Sequence, residues 1–233
     1  PRWPGATSAE SVRRSASASS AGNACTQKIR RLTVAALDAL FLSCERHAGA
    51  GEEVVGEINE VLAAWKQAGD RTLGFVAHRE TLEWIRGEMS RRAQLRTGVF
   101  HEDLPTARRD TEVARFQALA GPSLLISTEC GGEGRNFEFC RRLVLFDLPW
   151  KPSIVEQRIG RLDRIGRRMP VDVVYFRPPR GIGADAVRLF EALGLFREPL
   201  AGLEPQLAPV ESTIEEAAVA PGGSLSDTRF ERL

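Results

Sequence analysis

The sequence predicts an α/β fold in which a mostly parallel sheet lies between layers of helices. Short apolar runs such as LGFVA and SLLIST lack strict alternation, which is typical of strands buried on both faces of a sheet. Between these runs lie stretches of roughly ten to fifteen residues in which apolar residues recur at helical spacing. Strands that alternate with such helices indicate a parallel sheet, because each crossover returns the chain to the same edge.

Each element follows from its own local pattern. The spacing of apolar residues changes from helical to strand-like at Thr72. Strands are predicted at LGFVA, TGVF, SLLIST, RLVLFDL and VDVVYF. The helices of the core are predicted over residues 80–91, 105–118, 153–165 and 185–195. Pro105 and Pro152 stand near two of these helix starts, where the missing N–H costs little. Upstream, apolar spacing predicts a helix over 26–48 and a second one that includes Val54, Ile58, Val61 and Trp65.

The length of 233 residues suits one main domain with appended segments. Residues 1–25 are rich in Ser and Ala and are predicted to be disordered. Residues 26–68 are predicted as a helical lead-in, 69–180 as the α/β domain, and 181–233 as a helical appendage with a loose tail. Because the sequence starts without Met and without the apolar core of a signal peptide, we expect a fragment of a longer protein.

Charge is segregated along the chain, although the net charge is only +1. Residues 141–168 carry eight Lys or Arg against three Asp or Glu, whereas residues 181–233 carry four Arg against nine Asp or Glu. An anionic partner is therefore expected at the middle of the chain and not at its acidic end.

The cysteines and the apolar runs show which sites and partners the sequence does not predict. The four cysteines include no C-x-x-C pair, and the three histidines stand at no ligand spacing from them, so no metal site is predicted. Scattered cysteines suit a reducing cytoplasm, where each is most often a small buried residue. The longest apolar runs fall short of a membrane span, so the sequence predicts no membrane partner.

The segment QRIGRLDRIGRR, residues 157–168, contains five arginines. At about 100° per residue, Gln157, Arg161 and Arg164 point to one side of the predicted helix, with Gly160 beside them. The opposite side carries the apolar residues Val155, Ile159 and Leu162. The helix is therefore predicted to have an apolar side for the sheet and a polar stripe of one glutamine and two arginines.

Two interpretations of this polar stripe remain. Most charge runs on amphipathic helices are solvated faces. However, Asp163 points away from the stripe and does not neutralise it, and a planar guanidinium can hold two phosphate oxygens at once. The second interpretation is therefore a site for an external anion. The other three arginines lie off the stripe: Arg158 has no assigned ligand, and Arg167 and Arg168 are expected to add to the positive field.

A glycine-rich loop, ECGGEGRN, follows the predicted strand SLLIST. In open α/β sheets, ligands bind outside the carboxyl ends of the strands. Glycines there can bring backbone N–H groups close to a phosphate or a sugar. Glycine-rich turns after strands are equally common without a ligand, so the loop by itself leaves both interpretations open.

Three motifs in a fixed order carry a family resemblance. STECGGEGRNF (127–137), LVLFDLPWKP (143–152) and EQRIGRLDRIG (156–166) resemble motifs V and VI of superfamily-two helicases. The Swi/Snf-like branch has the pattern Asp-x-x-Trp-x-Pro followed by Gln-x-x-Gly-Arg-x-x-Arg-x-Gly, which this sequence meets between Asp147 and Gly166. With VFHEDL upstream, the phrases EGRNF and FDLPW are most similar to the bacterial RapA/HepA subgroup of RNA polymerase-associated translocases.

The resemblance implies the second of two RecA-like lobes that clamp ATP between them. Arg164 is then similar to the arginine finger that meets the γ-phosphate, and Arg161 to its neighbour, which contacts phosphate or couples the lobes. Gln157 is similar to the residue that helps to place the nucleotide. The resemblance also implies that part of the glycine-rich loop lies beside the ribose or at the lobe interface, namely Gly132, Glu133 and Gly134.

The same resemblance implies nucleic-acid contacts. Ser127 and Thr128 are expected near the nucleic-acid backbone, and His78 and Arg79 stand where motif IV of the family approaches its phosphates. For His78 the alternative is a structural role, which is more common for a histidine at a strand end. Lys151 replaces the Asn that often follows the Trp of the motif, and adds positive charge near the cleft.

Two parts of a complete ATPase are absent from the sequence. It contains neither the phosphate loop G-x-x-x-x-G-K-[ST] nor an Asp-Glu pair that ends an apolar strand and holds Mg²⁺. We therefore expect the primary site for ATP with Mg²⁺ on a first lobe outside this chain, and no ATP hydrolysis by this chain alone. The complete machine is expected to translocate along double-stranded DNA, and RNA polymerase is left open as a partner. The alternative is a non-catalytic module that binds nucleic acid or a partner protein.

Overall fold

A computed structural model describes residues 29–33, 48–93, 95–128, 135–163, 167, 169–177, 181–197, 209, 211–214 and 216 of the chain. The strands are β1 (Ile29–Thr33), β2 (Thr72–Phe75), β3 (Thr97–Phe100), β4 (Leu124–Ser127), β5 (Arg142–Leu145) and β6 (Asp172–Arg177). The helices are α1 (Ala48–Gln67), α2 (Arg79–Ala93), α3 (Thr106–Gln117), α4 (Pro152–Gly160) and α5 (Ile182–Ala192). The segment predicted to be disordered and the predicted loose tail lie outside the described residues.

The described strands form one six-stranded sheet in the order β1-β6-β5-β2-β4-β3, and every neighbouring pair is parallel. All carboxyl ends of the strands therefore lie along one edge, here called the carboxyl edge, and all amino ends lie along the opposite amino edge. Gly74 in β2 leaves room for the ring of Phe146, which follows β5, because a Cβ at this position would lie 2.7 Å from that ring. The predicted α/β fold with a parallel sheet is confirmed.

Side chains of the sheet alternate between two cores that are covered by different helices. Leu73 and Phe75 of β2 belong to a core that also contains residues of α3, α4 and α5. Val144 of β5 and Phe146 belong to a second core with residues of α1 and α2. The protein therefore has three layers, and burial of both faces explains why the strands read as continuous apolar runs.

The structure differs from the sequence prediction at the start of the described chain. Residues 29–33 were predicted as part of a helix over 26–48, but they form β1 and pair in parallel with β6, with Ile29 opposite Val173. The helical prediction is wrong for these five residues. Without β1, the hydrogen-bonding groups of β6 would form an open edge, and pairing across that edge overrides the local helical spacing.

The C-terminal part of the described chain packs against α4. Ser153 Oγ donates a hydrogen bond to Glu211 Oε1 at 2.7 Å, and Ile214 is fully buried in the core shared by α3, α4 and α5. No helix in the described ranges has the length and apolar character needed to cross a membrane.

Candidate functional site

The inward side of α4 carries one arginine among apolar residues. Arg158 is 2% exposed and lies on the same side of the helix as Val155 and Ile159, which are also buried. Its guanidinium donates to the main-chain oxygen of Asp147 at 2.7 Å and to the Asp147 Oδ1 at 3.0 Å. Its Cζ lies 5.4 Å from the centroid of the Phe75 ring. No partner was predicted for Arg158 from the sequence. The structure shows that its partner is Asp147 of the same chain.

Asp147 connects three elements at the carboxyl edge. It follows β5, and its carboxylate accepts hydrogen bonds from Arg158 of α4 and from the backbone N–H of Ala77, the residue before His78. The residue is 6% exposed, so the ion pair with Arg158 is shielded from water. The loop that leads from β2 into α2 is therefore tied through one carboxylate to α4.

The outward side of α4 and of the turn that follows it carries polar groups without a partner in the described part of the chain. Gln157 is exposed and Arg161 is half-buried. Within the described ranges, neither side chain has a hydrogen-bond or ion-pair partner. Gln157 and Arg161 are called the outer row below. Their exposure makes the outer row available to a ligand or another lobe.

The end of α4 differs from the prediction and affects the outer row. The helix ends at Gly160 and not at Ile165, because glycine has a low helix propensity and the next turn tightens. A hydrogen bond from the Arg161 N–H to the Gln157 oxygen, 3.2 Å long, still keeps these two residues on one side. Arg164, the predicted arginine finger, lies outside the described residues.

The main chain of Arg161 also joins the two motifs. Its carbonyl oxygen accepts a hydrogen bond of 3.0 Å from the N–H of Phe137, which follows the glycine-rich loop. Phe137 is buried in the core against α4. The three candidate residues of that loop, Gly132, Glu133 and Gly134, lie outside the described residues. Their position beside the ribose or at the lobe interface therefore remains a prediction.

Arg167 has a different role from the one expected. Its guanidinium donates to four main-chain carbonyl oxygens, at distances of 2.6 to 3.1 Å. These belong to Glu138, Cys140, Leu162 and Met169. The expectation that Arg167 only adds to the positive field is wrong, because the guanidinium links the turn after α4 to the segments before β5 and β6.

The five candidate nucleic-acid residues lie together at the carboxyl edge. His78 and Arg79 follow β2, Ser127 ends β4, Thr128 follows it, and Lys151 precedes α4 on the segment that leaves β5. Because β5, β2 and β4 are neighbours in the sheet, these chain segments are neighbours too. His78, Arg79 and Lys151 are exposed, whereas Ser127 and Thr128 are only 1% and 2% exposed.

The polar groups of Ser127, Thr128 and Arg79 already have partners within the protein. Ser127 Oγ donates to the Thr128 oxygen at 2.9 Å, and Thr128 Oγ1 donates to Glu102 Oε2 at 2.7 Å. Arg79 forms an ion pair with Asp103. Nucleic acid could bind the side chains of Arg79 and Thr128 only by replacing these partners. The nucleic-acid roles of both residues therefore remain predictions.

The outer row lies away from these residues along the strand direction. The chain leaves the carboxyl edge after β5, passes through α4 and enters β6 at the amino edge, and the two strands are parallel. The helix α4 therefore runs back across the sheet, and Gln157 and Arg161 lie toward its end. Gln157 and Arg161 are thus separated along the strand direction from the nucleic-acid candidates at the carboxyl edge.

A second group of arginines, which was not predicted from the sequence, lies at the amino edge. Arg141 donates from Nε and Nη2 to both carboxylate oxygens of Asp70 at 2.9 Å, and Arg142 Nε donates to Asp70 Oδ2 at 2.9 Å. Arg142 is 3% exposed, pairs also with Asp172, and its Cζ lies 5.0 Å from the Trp65 ring centroid. These contacts hold the amino ends of β5 and β6 to the loop before β2.

The charges of this amino-edge group neutralise one another. Burial raises the pKa of Asp70, but the hydrogen bonds from Arg141 and Arg142 lower it by more, so the pKa lies below its ordinary value. The hydrogen bond to Asp70 also raises the pKa of Arg141. Both side chains therefore remain charged over the whole neutral range, and the group serves the fold.

A signal for Arg158 was present in the sequence. At about 100° per residue, Arg158 lies about 60° from Val155 and therefore on the apolar side of α4. The motif aspartate Asp147 was noted only as part of a pattern, although a buried arginine requires such a partner. No comparable local signal pairs Asp70 with Arg141, because these residues are distant in sequence and meet only in the folded sheet.

Among the described residues, no group of three or more His, Cys, Asp or Glu side chains is arranged to hold a metal ion.

Comparisons with known proteins agree with this architecture. A family model described as the helicase conserved C-terminal domain matches residues 53–166. The RNA polymerase-associated protein RapA of Vibrio campbellii is 40% identical over 109 residues, which are 46% of this chain and 11% of that protein. The protein of the same name from Vibrio cholerae serotype O1 is 34% identical over 154 residues, 65% of this chain and 16% of that protein. The chain thus spans only a small part of the length of these relatives.

Two solved structures share the fold. The crystal structure of the C-terminal part of the Fun30 ATPase domain gives a TM-score of 0.53 at 14% identity, covering 84% of this chain and 59% of that one. The Sulfolobus solfataricus SWI2/SNF2 ATPase core domain gives 0.54 at 14% identity, covering 88% of this chain and 48% of that one. The chain thus contains a RecA-like lobe that matches the helicase conserved C-terminal domain over residues 53–166 and is similar to RapA proteins, and the two solved structures share its fold.

Proposed function

We propose that this chain is the second motor lobe of an ATP-dependent translocase of the RapA type that moves along double-stranded DNA. In this proposal ATP with Mg²⁺ is held mainly by a first lobe, and this chain contributes arginines to the far side of the nucleotide. The observation that carries the proposal is the outer row of α4, where Arg161 is half-buried and its guanidinium has no partner in the described part of the chain.

The choice of Arg161 rests on the surroundings of its neighbours. Arg158 is occupied by Asp147, and Arg167 is occupied by main-chain carbonyls, so neither guanidinium is available to a phosphate. Arg161 and the motif residue Arg164 remain. We assign Arg164 the role of the arginine finger, which in phosphoryl transfer is worth about 10³ to 10⁵ in rate, and Arg161 that of its neighbour on the phosphates.

The other proposed nucleotide-binding residues belong to the outer row or to the glycine-rich loop. Gln157 is exposed beside Arg161 and would help to place the nucleotide between the lobes. The hydrogen bond from Phe137 to Arg161 gives a direct main-chain path from the glycine-rich loop to the outer row. Gly132, Glu133 and Gly134 would lie at the ribose or at the lobe interface. Mg²⁺ would be held by the first lobe and would neutralise charge on the phosphates.

The nucleic-acid track would follow the carboxyl edge. Arg79, His78 and Lys151 are exposed there and would contact backbone phosphates, with Ser127 and Thr128 beneath them. Contacts of this type are electrostatic and depend strongly on salt, so little sequence preference is expected. The names of the relatives make RNA polymerase the first protein partner to test, and a cytoplasmic location follows from that partner.

The experiment joins this chain to the first lobe of a RapA relative and measures ATP hydrolysis with and without duplex DNA. The joined protein is expected to hydrolyse ATP faster with DNA, and Arg164→Ala is expected to lower that rate by about a hundredfold or more. The chain alone is expected to hydrolyse none, because it has no phosphate loop. Loss of cooperative unfolding in Arg164→Ala would instead assign this arginine to the fold.

A second candidate function is a non-catalytic module that binds nucleic acid or a partner protein. It is favoured by the absence of the phosphate loop from these 233 residues. The coding sequence upstream separates the two candidates. A phosphate loop in the same reading frame supports the motor lobe, whereas a start codon directly before this chain supports the separate module.

A further inference from the structure

A short acidic loop places two carboxylates against the candidate nucleic-acid residues. The loop comprises residues 101–104, follows β3 and is called the acidic loop below. Asp103 forms an ion pair with Arg79, and Glu102 Oε2 accepts a hydrogen bond of 2.7 Å from Thr128 Oγ1. Since β2, β4 and β3 are consecutive in the sheet, one loop reaches groups at the ends of two other strands.

The main chain of the acidic loop has contacts of its own, in addition to those of the carboxylates. Arg109 of α3 donates from Nε to the Leu104 oxygen at 2.7 Å and from Nη2 to the Glu102 oxygen at 3.3 Å. The Leu104 N–H donates to the His101 oxygen at 3.2 Å and closes a turn. His101 is 5% exposed, and its Nδ1 has no hydrogen-bond partner in the described part of the chain. Replacing a carboxylate by an amide should therefore leave the loop conformation unchanged.

A carboxylate and a phosphate present the same kind of group to a guanidinium or a hydroxyl. Both offer anionic oxygens that accept charge-assisted hydrogen bonds, and therefore compete for the same donors. The side chains of Arg79 and Asp103 are 48% and 55% exposed, so an incoming phosphate can reach the pair from solvent. Exposed ion pairs contribute little to stability, so displacing Asp103 costs little.

We propose that Glu102 and Asp103 occupy the positions of two backbone phosphates and act as an internal competitor for nucleic acid. This inference rests on the proposed nucleic-acid role of Arg79 and Thr128. Nucleic acid binds at the carboxyl edge by displacing both carboxylates. The acidic loop therefore weakens the grip on the backbone, which suits a motor that must release and rebind as it moves.

The test measures binding of the full chain to a short fluorescein-labelled DNA duplex by fluorescence anisotropy at low salt. Asp103→Asn and Glu102→Gln are each expected to bind roughly two- to fivefold more tightly than the wild type, the range of a weak exposed contact. The gain of Asp103→Asn should disappear when Arg79 is also replaced by Ala. The matched control is Glu83→Gln, which removes the same charge from an exposed ion pair with Arg86 on α2 and should bind like the wild type.

Three results would overturn the inference, and they are distinguishable. If the wild type binds and Arg79→Ala weakens binding, but neither amide variant gains affinity, the nucleic-acid role stands and the competitor does not exist. If Glu83→Gln gains as much as Asp103→Asn, the effect is one of net charge. If neither the wild type nor any variant binds the duplex, the proposed nucleic-acid function itself fails, and the inference fails with it.

Discussion

Two arginines at the C-terminal end of α4, one in its last turn and one directly after it, have opposite surroundings. Arg158 is 2% exposed, and its guanidinium is bound by Asp147 at the end of β5. Arg161 is half-buried, and its guanidinium has no partner within the described ranges. The two residues contribute equally to the charge of the segment. The comparison teaches that the helical period, and not the density of charge, separates an arginine that holds the fold from one that is open to a ligand.

The amino edge extends the comparison. Arg142 resembles Arg158, since it is 3% exposed and satisfied by carboxylates of the same chain. Arg167 is satisfied by carbonyl oxygens instead. Buried arginines must have such partners because an unpaired buried charge is very costly. Replacement of an inward arginine should therefore cost more stability than replacement of an outward one.

Arg158→Ala is expected to have the largest effect on stability. It should lower the free energy of unfolding by about 3–5 kcal/mol, because Asp147 would remain buried without its cation. Arg161→Ala should change the free energy of unfolding by no more than about 0.5 kcal/mol. Guanidinium chloride unfolding of both variants measures the difference. Equal losses would show that the two arginines do not have the distinct roles described here.

A double-mutant cycle sharpens the same comparison. Asp147→Asn and Arg158→Met together should cost about 1–3 kcal/mol less than the sum of the single variants, because the pair disappears as a unit. The asparagine retains an oxygen for the Ala77 N–H, which limits the effect on the β2 loop. Additive losses would mean that the ion pair is not the contact that matters.

Asp70→Asn is expected to have the next largest effect. It should lower the free energy of unfolding by about 2–3 kcal/mol at neutral pH, because the buried Arg142 loses one of its two carboxylate partners. The folded pKa of Asp70 lies below its unfolded value, so this stability is present above the unfolded pKa of about 3.9 and is lost as the pH falls through the folded pKa. Unfolding curves of the variant and the wild type should therefore converge in acid. A constant difference down to strongly acidic pH would contradict the assignment.

Arg167→Ala is expected to cost about 1–2 kcal/mol, since its carbonyl partners lose charged donors but can partly recover with water. Arg167→Lys should not restore stability, because an ammonium cannot reproduce the planar fork. Lys151→Ala, at an exposed position, should cost no more than about 0.5 kcal/mol. Thermal unfolding of the three variants measures this, and a loss in Lys151→Ala as large as in Arg167→Ala would contradict the contrast.

The smallest expected effect concerns Cys140 at the amino edge. The thiol is fully buried, its Sγ lies 2.8 Å from the Arg71 oxygen, and burial raises its pKa to about 12. Because the thiolate is the reactive species, iodoacetamide at neutral pH should leave Cys140 unmodified in the folded chain and label it after denaturation. Peptide mapping by mass spectrometry measures this. Fast labelling in the folded chain would show that the amino edge opens to solvent.

The fold was largely predictable because its signals are local. Continuous apolar runs identified β2 to β6, and helical spacing identified the core helices to within a few residues. The strand β1 was not predictable, since the segment 29–33 becomes a strand only through pairing with the edge of β6. The early end of α4 was missed because the pattern of Arg161 and Arg164 continues beyond Gly160 although the helix does not.

The candidate site divides in the same way. The outer position of Gln157 and Arg161 follows from the helical period and could be derived from the sequence. The partners of Arg158 and Arg167 could not, because they lie in other elements that only the fold brings near. The carboxylates of Glu102 and Asp103 were also missed, since their contacts with Thr128 and Arg79 join residues of different strands.

The most direct test of the central claim measures two properties of one variant, Arg161→Ala. In the protein that joins this chain to a RapA first lobe, DNA-stimulated ATP hydrolysis should fall at least about tenfold, as expected for a residue that acts on phosphate. The denaturant midpoint of the same variant should equal that of the wild type. A wild-type rate of hydrolysis, or a lower rate accompanied by lost stability, would contradict the claim that the outer row of α4 serves the nucleotide.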